Sequence, residues 1–400
     1  MIPALRARFN EQYTEEQYHA FVADMTRHVG CPIEFRLSET PCFFPRTLMD
    51  SLVNASEEMV SQLLGNAAYR AAADAMVPER FRLARGEELP TCVQVDFGLV
   101  RQPDGRVEGR LVELQAFPSL YGFQMALAEK TSGVFFDLGD AEKDTRRLFL
   151  GGLDSSSYTS LLRDVLVGPH ASEHVVLMEI QPHKQKTRAD FLVTEQTWGI
   201  RAVDTGEVIK DGRRLFYTRD GVLTPIHRIY NRVIPDELER SGAPMPFDYR
   251  DELDVEWIGG PDWFFRISKF SIPWLRHRWV PKTMFLSDVN EVPADRDNWL
   301  LKPLFSFAGG GILFAPTDAD IAAIPPDQRH LYVLQERVAF SPLINTPAGP
   351  TQSELRIMMV RQGDTYRAVL PLVRMGRGKM MGVDHNKGMA FVGAAAAIIV

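Results

Sequence analysis

The chain has 400 residues, of which 45% are apolar and 24% are charged, and its formal net charge is −7. This composition is typical of a soluble globular protein, and the negative charge argues against a general binder of nucleic acids or anionic membranes. A single hydrophobic core stops growing near about 250 residues, so we expect more than one domain.

The cysteines and the two ends of the sequence indicate the compartment. Cys31, Cys42 and Cys92 are odd in number and widely spaced, a pattern that predicts neither a disulfide scaffold nor a zinc site. The N-terminus has no long apolar segment, and the apolar residues 389–400 are fewer than the about 18 of a membrane-spanning helix. We therefore expect a cytoplasmic protein without a targeting or transmembrane segment.

The first part of the chain combines helices with a hairpin. Apolar residues at helical spacing predict helices over residues 11–28 and 52–76. Strands over residues 93–100 and 110–117 flank a Pro-Asp-Gly turn, which predicts a β-hairpin. A helical stretch to about residue 147 follows the hairpin.

The middle of the chain has the pattern of an α/β domain, and the last part is rich in strands. A strand over residues 174–180, a helix over 186–198 and a strand over 200–203 predict a βαβ unit. An Asp-Gly turn predicts a second hairpin near residue 220, followed by a strand over 225–232. After a passage rich in tryptophan and proline, we predict strands over residues 299–304, 311–314, 332–338, 354–361 and 366–373.

A lysine and a glycine run give the clearest signal for anion binding. A predicted strand carries Lys302, and seven residues later Gly309, Gly310 and Gly311 would let backbone amides approach an anion closely. Neither GxxxxGK[ST] nor GxGxxG is present. A tight hairpin whose glycines only make the turn explains the same residues, so both interpretations stay open.

Two later strands carry polar pairs. Gln335 and Glu336 end an apolar strand that could meet an adenine edge and a ribose hydroxyl, and a solvated edge strand is the alternative. Glu354 and Arg356 alternate onto one face of the next strand, which also fits a salt-bridged surface pair. No single piece is specific, but their order and gaps resemble an ATP-grasp nucleotide site.

Motifs that come last in ordinary ATP-grasp ligases stand near the front of this chain. QVDF at residues 94–97 and ELQAFPS at residues 113–119 are similar to the magnesium strands of that family. The chain therefore resembles a circularly permuted ATP-grasp protein of the eukaryotic-type glutathione synthetase kind, in ordered blocks over residues 90–400. This resemblance implies an α/β (α+β) ATP-grasp fold with an α/β substrate domain.

The resemblance also implies a division of the chain and an ATP site. Residues 1–150 would form a helical segment with the metal-binding hairpin, residues 151–265 the substrate-binding (pre-ATP-grasp) domain, and residues 266–400 the nucleotide-binding domain. The residues implied to bind ATP are Lys282, Lys302, Gly309, Gly310, Gly311, Gln335, Glu336 and Lys379.

The same resemblance implies magnesium ligands. Asp96, Glu113 and Gln115 would hold Mg²⁺, with Gln115 in place of the usual asparagine. Oxygen ligands of this kind suit that hard cation, and substrate phosphates would complete its coordination.

Three arginines are implied to be catalytic. Arg232 and Arg377 would neutralise the acceptor carboxylate and the acyl phosphate, and Arg356 is assigned with them. Two departures put the substrates of glutathione synthesis in doubt: no acid precedes the glycine run, and Gln94 stands where an arginine is expected.

The resulting prediction is an ATP-dependent ligase that activates a carboxylate as an acyl phosphate and joins it to an amine. Its partners would be small molecules, an amino acid or short peptide and an amine, with neither nucleic acid nor membrane, and a homodimer is one option for its assembly. A catalytically degenerate nucleotide-binding protein on the ATP-grasp fold is one alternative, suggested by Gln115 and the missing acid. A small-molecule kinase on the same fold is the other, and the sequence does not separate the three.

Overall fold

The computed structural model describes residues 1–135, 146–306, 309–382, 386 and 388–400. The helix predicted to end near residue 147 is described from Tyr121 to Phe135, and the remainder of that prediction lies outside the described residues. From the N-terminus the elements are α1 (Pro3–Gln12), α2 (Glu15–Val29), β1 (Cys42–Phe44), α3 (Arg46–Gly65), α4 (Ala67–Ala75), β2 (Cys92–Arg101), β3 (Val107–Gln115), α5 (Tyr121–Phe135) and α6 (Ser155–Leu166).

The middle of the chain contributes strands around one long helix and two short ones. They are β4 (Val175–Glu179), α7 (Arg188–Trp198), β5 (Arg201–Asp204), β6 (Ile209–Asp211), β7 (Arg214–Arg219), β8 (Val222–Ile226), β9 (Arg228–Asn231), α8 (Pro235–Ser241), β10 (Glu256–Ile258) and α9 (Trp263–Arg266). A 3-10 helix at Lys269–Trp274 leads into the last part.

The last part of the chain is mostly strands, as the sequence predicts. The elements of this part are β11 (Thr283–Phe285), β12 (Trp299–Pro303), β13 (Leu313–Phe314), the short helix α10 (Asp318–Ala322), β14 (Tyr332–Glu336), β15 (Ile344–Thr346), β16 (Gly349–Gln362), β17 (Thr365–Gly376), β18 (Gly393–Ala395) and β19 (Ala397–Ile399).

The central sheet joins the front hairpin to strands from the end of the chain. Its order is β18-β17-β16-β2-β3, all neighbours are antiparallel, and β15 pairs with β16. The predicted hairpin of β2 and β3 is confirmed, and its turn has Gly105 at φ 87°, a conformation that favours glycine. One face of this sheet packs on α3 through apolar side chains that include Leu52, Phe97 and Leu355.

A second sheet, with order β10-β9-β4-β5, lies in the middle of the chain and is parallel throughout. Strand β4 is buried along its whole length, which explains its continuous apolar run, and α7 connects it to β5. The predicted βαβ unit is therefore confirmed, as is the hairpin of β7 and β8.

A third sheet, with order β11-β14-β12-β13, carries the predicted nucleotide residues. In its register Lys302 lies opposite Val333 and Leu300 lies opposite Gln335, so these side chains share one face. The other face packs Leu301 against Leu286 and Ile321. The face that bears Lys302 and Gln335 also carries Val333, which packs in the same apolar cluster as Leu355 and Phe97 of the central sheet.

The two ends of the described chain also meet. Strand β1 pairs with β19 in parallel, and Cys42 lies opposite Ala397. Among the described residues, no helix combines the length and the apolar character needed to cross a membrane.

Candidate active site

Four side chains with oxygen atoms lie next to one another on the central sheet. Asp96 is the cross-strand partner of Glu113, and Gln94 is the partner of Gln115, two residues further along the same two strands. Alternation along β2 and β3 turns all four toward the third sheet. We call this group, Gln94, Asp96, Glu113 and Gln115, the oxygen cluster.

Arg356 fills the oxygen cluster. It lies directly across from Asp96 on β16, and its Nε and Nη2 donate to the two oxygens of that carboxylate, each at 2.6 Å. Its Nη1 donates to Gln94 Oε1 at 2.8 Å. With the Gln115 amide turned so that its oxygen faces the guanidinium, Nη1 also donates to that oxygen at 2.8 Å, and Nη2 donates to it as well. A guanidinium therefore occupies the centre of the cluster.

A second arginine approaches from the next strand. Arg374 Nη2 donates to Asp96 Oδ2 at 2.7 Å and contacts Glu354 Oε1 at 2.8 Å. The carboxylates of Glu354 and Asp96 raise the pKa of Arg374, against the effect of burial. Burial raises the pKa of Glu354 to about 7, opposed by Arg374 and reinforced by the negative charge of Asp96. The buried acids of this face are thus matched by guanidinium groups.

Lys302 faces these acids from the third sheet. It is 5% exposed, and burial lowers its pKa to about 8, while Glu113 and Glu354 oppose the shift and Lys269 adds to it. Within the described residues, no hydrogen bond to Lys302 Nζ is present. A buried cation of this kind, close to a second lysine, is suited to an anionic ligand.

Lys269 connects the body of the protein to the start of the glycine loop. It lies on the 3-10 helix at Lys269–Trp274 and donates through Nζ to the carbonyl of Ser306 at 2.8 Å. Burial lowers its pKa, and the carboxylate of Glu113 opposes that effect. The two lysines and Glu113 therefore lie in one electrostatic environment at the base of this loop.

The glycine loop links β12 to β13 and has a backbone that only glycine adopts readily. Gly309 and Gly311 have φ values of 76° and 72°, and Gly310 is exposed. A Cβ added to Gly309 would lie 2.4 Å from Met380 Cε, so this part of the loop lies close to the Met380 side chain. Both sequence interpretations of the glycines fit, because the loop connects two antiparallel strands and also begins at Ser306, which Lys269 contacts.

Three other residues predicted to bind the nucleotide, Gln335, Glu336 and Lys282, lie in different environments. Gln335 is buried, and its Nε2 has no hydrogen-bond partner among the described residues. Glu336 is half exposed and contacts Arg110 at 3.3 Å, while the side chain of Lys282 is exposed, with Nζ 5.7 Å from the centre of the Trp299 ring. The unpartnered donor of Gln335, on the same face as Lys302, fits an acceptor on a bound ligand.

Arg232 lies apart from these lysines, in a buried ion pair. Its Nη1 donates to Asp190 Oδ2 at 2.6 Å, and the guanidinium lies over the rings of Phe117 and Phe191. Its Nη2 donates to the hydroxyl of Ser119 at 3.1 Å. Because the carbonyl of that same serine accepts from Gln94 Nε2 at 2.9 Å, Arg232 is linked to the oxygen cluster through one residue.

Arg377 and Lys379 lie at the end of β17. Arg377 donates to the hydroxyls of Thr351 and Thr346 at 3.1 and 3.0 Å, which fixes it against the hairpin of β15 and β16. The side chain of Lys379 is exposed. The side-chain contacts of these two residues lie outside the oxygen cluster.

Sequence reasoning missed two cations of this site, Lys269 and Arg374. Arg374 lies opposite Glu354 in the β16–β17 register, but its number in the sequence gives no sign of that pairing. Lys269 stands in a passage that the sequence reads as a linker. The family pattern has an arginine at the position of Gln94. Here Arg356, which belongs to another strand, places its guanidinium beside Gln94.

The oxygen cluster does not fit a magnesium ion at Asp96 and Gln115. Mg²⁺ requires oxygen ligands with free lone pairs at about 2.0–2.1 Å in octahedral geometry. Both oxygens of Asp96 and the amide oxygen of Gln115 are directed at guanidinium groups, and Glu113 alone keeps a half-exposed carboxylate. Within the described ranges, no group of three or more His, Cys, Asp or Glu side chains could hold a metal ion.

Comparison with known proteins identifies the fold. No protein-family model matches the sequence, and neither does any curated protein. The structure is similar to that of a glutathione synthetase-like effector from Globodera pallida, determined in its apo form, with a TM-score of 0.62 over 96% of each chain. The two sequences are 11% identical, so the likeness concerns the fold. The resemblance drawn from the motifs is confirmed at this level: the chain has a mixed α/β, glutathione synthetase-like fold.

Proposed function

We propose that the chain is an ATP-dependent ligase that joins a substrate carboxylate to an amine. The observation that carries this proposal is the convergence of Lys302 with Glu113 and Glu354, from strands far apart in the sequence, in a protein with a glutathione synthetase-like fold. A buried lysine without a hydrogen-bonding partner in the described chain suits the phosphates of a nucleotide, and Gln335 offers a free donor on the same face.

In the proposed reaction, an oxygen of the substrate carboxylate attacks the γ-phosphorus of ATP, and ADP leaves. The amine then attacks the carbonyl carbon of the acyl phosphate, and the tetrahedral intermediate expels inorganic phosphate. Lys302 and Lys269 would neutralise charge on the phosphates, and Glu354, whose pKa is raised to about 7, would accept the proton of the amine. Atoms and charge balance without a covalent enzyme intermediate.

The proposal includes the architecture that the motifs imply. Residues 1–150 would supply the helical segment and the hairpin of an ATP-grasp core, residues 151–265 the substrate domain, and residues 266–400 the nucleotide-binding domain. The pairing of β2 with β16 supports a circular permutation, because the front hairpin completes a sheet of C-terminal strands. An amino acid or a short peptide is the proposed substrate class.

The proposal is tested by ADP release. Purified protein is mixed with ATP and with pairs of amino acids or dipeptides, both with Mg²⁺ and with EDTA, and products are identified by mass spectrometry. We expect ADP release that requires both a carboxylate and an amine, together with a product that has lost the mass of water. A folded protein that neither binds ATP nor releases ADP with any pair would refute the proposal.

A second candidate, a nucleotide-binding protein without ligase activity, is favoured by one specific observation. Arg356 and Arg374 engage both oxygens of Asp96, which the family resemblance assigns to the metal. ATP binding without ADP release, for every substrate pair, would support this candidate over the ligase.

A further inference from the structure

Arg356 uses every N–H group of its guanidinium on the oxygen cluster. A guanidinium has five such donors. Two of them meet Asp96, one meets Gln94, and the remaining two meet the oxygen of Gln115 in the orientation that satisfies that amide. The arginine is 7% exposed, so water does not substitute for these contacts. The guanidinium therefore occupies the space between these oxygens and takes most of the acceptor sites of Asp96.

Cationic side chains outnumber the carboxylates around the cluster. Three carboxylates, those of Asp96, Glu113 and Glu354, interact with the cationic side chains of Arg356, Arg374, Lys302 and Lys269. A divalent cation is favoured where carboxylates exceed the cations around them. Here an added Mg²⁺ would either meet cations or displace a buried arginine and leave its charge unpaired, which is strongly unfavourable.

We infer that Arg356 stands in for the divalent cation of this site, so that the cleft binds the phosphates of a nucleotide directly, without Mg²⁺. The inference deepens the proposed function and rests on its nucleotide site. Lys302 and Lys269 are the cations that we assign to the phosphates, since the donors of Arg356 are directed at the protein. Arg356 acts as a positioning residue: it holds Asp96, Gln94 and Gln115 in the places that ligands of a metal would otherwise take.

The first test measures ATP affinity of the full chain by calorimetry, in EDTA and in excess Mg²⁺. We expect the dissociation constant in EDTA to be within about threefold of that in Mg²⁺, or lower. Binding at least tenfold weaker in EDTA would overturn the inference and leave the proposed nucleotide site standing. No ATP binding in either buffer would overturn both.

The second test measures binding of Mn²⁺, a paramagnetic substitute for Mg²⁺, by electron paramagnetic resonance. Wild-type protein should bind no Mn²⁺, whereas Arg356→Met should bind it, because the substitution frees Asp96 Oδ1 and the Gln115 oxygen. Arg361→Met, on the same strand, is the matched control and should behave as wild type. Mn²⁺ bound to wild-type protein and displaced by Mg²⁺ would overturn the inference.

Should Arg356→Met fail to fold, Arg356→Lys offers a milder change. Lysine keeps the charge but has only three N–H donors at a single point, so it cannot serve Asp96, Gln94 and Gln115 together. We expect Mn²⁺ binding by this variant to be intermediate between wild type and Arg356→Met. The calorimetric comparison of wild-type protein needs neither variant.

Discussion

Replacing Lys302 by methionine should make the protein more stable and, at the same time, a poorer binder of nucleotide. Burial lowers the pKa of this lysine from 10.5 to about 8. Each tenfold change in proton affinity corresponds to about 1.4 kcal/mol, so holding the charged form in the native state at pH 7 costs on the order of 3 kcal/mol. Methionine is similar in length and carries no charge, so Lys302→Met removes that cost.

The pH dependence gives the sign of the effect. The pKa of Lys302 is lower in the native state than in the unfolded state, so the unfolded state binds more protons between about pH 8 and pH 10.5. The free energy of unfolding of the wild type should therefore increase as the pH rises through this range. Lys302→Met lacks this increase in the free energy of unfolding. Its advantage over the wild type should therefore be greatest below pH 8 and should fade by about pH 10.5.

The loss of binding follows from the same charge. A hydrogen bond to a charged group contributes about 1.5–3 kcal/mol, so the dissociation constant for ATP should rise about 10- to 100-fold in Lys302→Met. Urea unfolding across this pH range and calorimetry with ATP provide the two measurements. Lys210→Met, at an exposed ion pair with Asp251, is the control and should change neither quantity by much. A variant that is less stable than wild type at pH 7, or that binds ATP equally well, would refute this account of Lys302.

Three further substitutions test other parts of the site. Gly309→Ala should weaken ATP binding about tenfold or more, because its φ of 76° disfavours alanine and the new Cβ would meet Met380; unchanged affinity in calorimetry would contradict a role for this loop. Wild-type protein should lose stability as the pH rises from 4.5 to about 7, because the raised pKa of Glu354 means that the native state favours its protonated form. Glu354→Gln should lack this loss, and equal pH profiles of the two proteins in urea unfolding would contradict the shift. Arg232→Met should reduce the free energy of unfolding by about 3–5 kcal/mol, because it leaves the buried carboxylate of Asp190 unpaired; a loss below 1 kcal/mol by the same method would contradict a structural ion pair.

The Lys302 and Arg232 predictions separate two uses of a buried cation. Arg232 has a carboxylate partner at 2.6 Å and serves the packing of the middle part of the chain. Lys302 has opposing acids nearby but no hydrogen-bonded partner in the described chain, and its charge is therefore held at a cost. A bound phosphate would supply the interaction that Lys302 lacks. Because removing Lys302 removes a desolvation cost and removing Arg232 leaves Asp190 unpaired, the two substitutions should move stability in opposite directions.

Local patterns in the sequence determined much of the site. The Pro-Asp-Gly turn and the alternation along β2 and β3 put Glu113 and Gln115 on one face, with Asp96 across from Glu113, because the side-chain period of a strand is two. The strand before the glycine run likewise determined where Lys302 lies relative to its loop. The order of these motifs also indicated a glutathione synthetase-like fold, which the structural comparison confirms.

Only the tertiary structure decided what the polar residues contact. Alternation fixes the face of a sheet but not the neighbouring strand, and Arg356 reaches Asp96 across 260 residues of sequence. The pairing of β2 with β16 brings this guanidinium into the oxygen cluster, and the pairing of β16 with β17 adds Arg374. The sequence by itself therefore determined a group of oxygen ligands that looks like a magnesium site. The register of distant strands, set by packing of the whole sheet, decided that an arginine fills it.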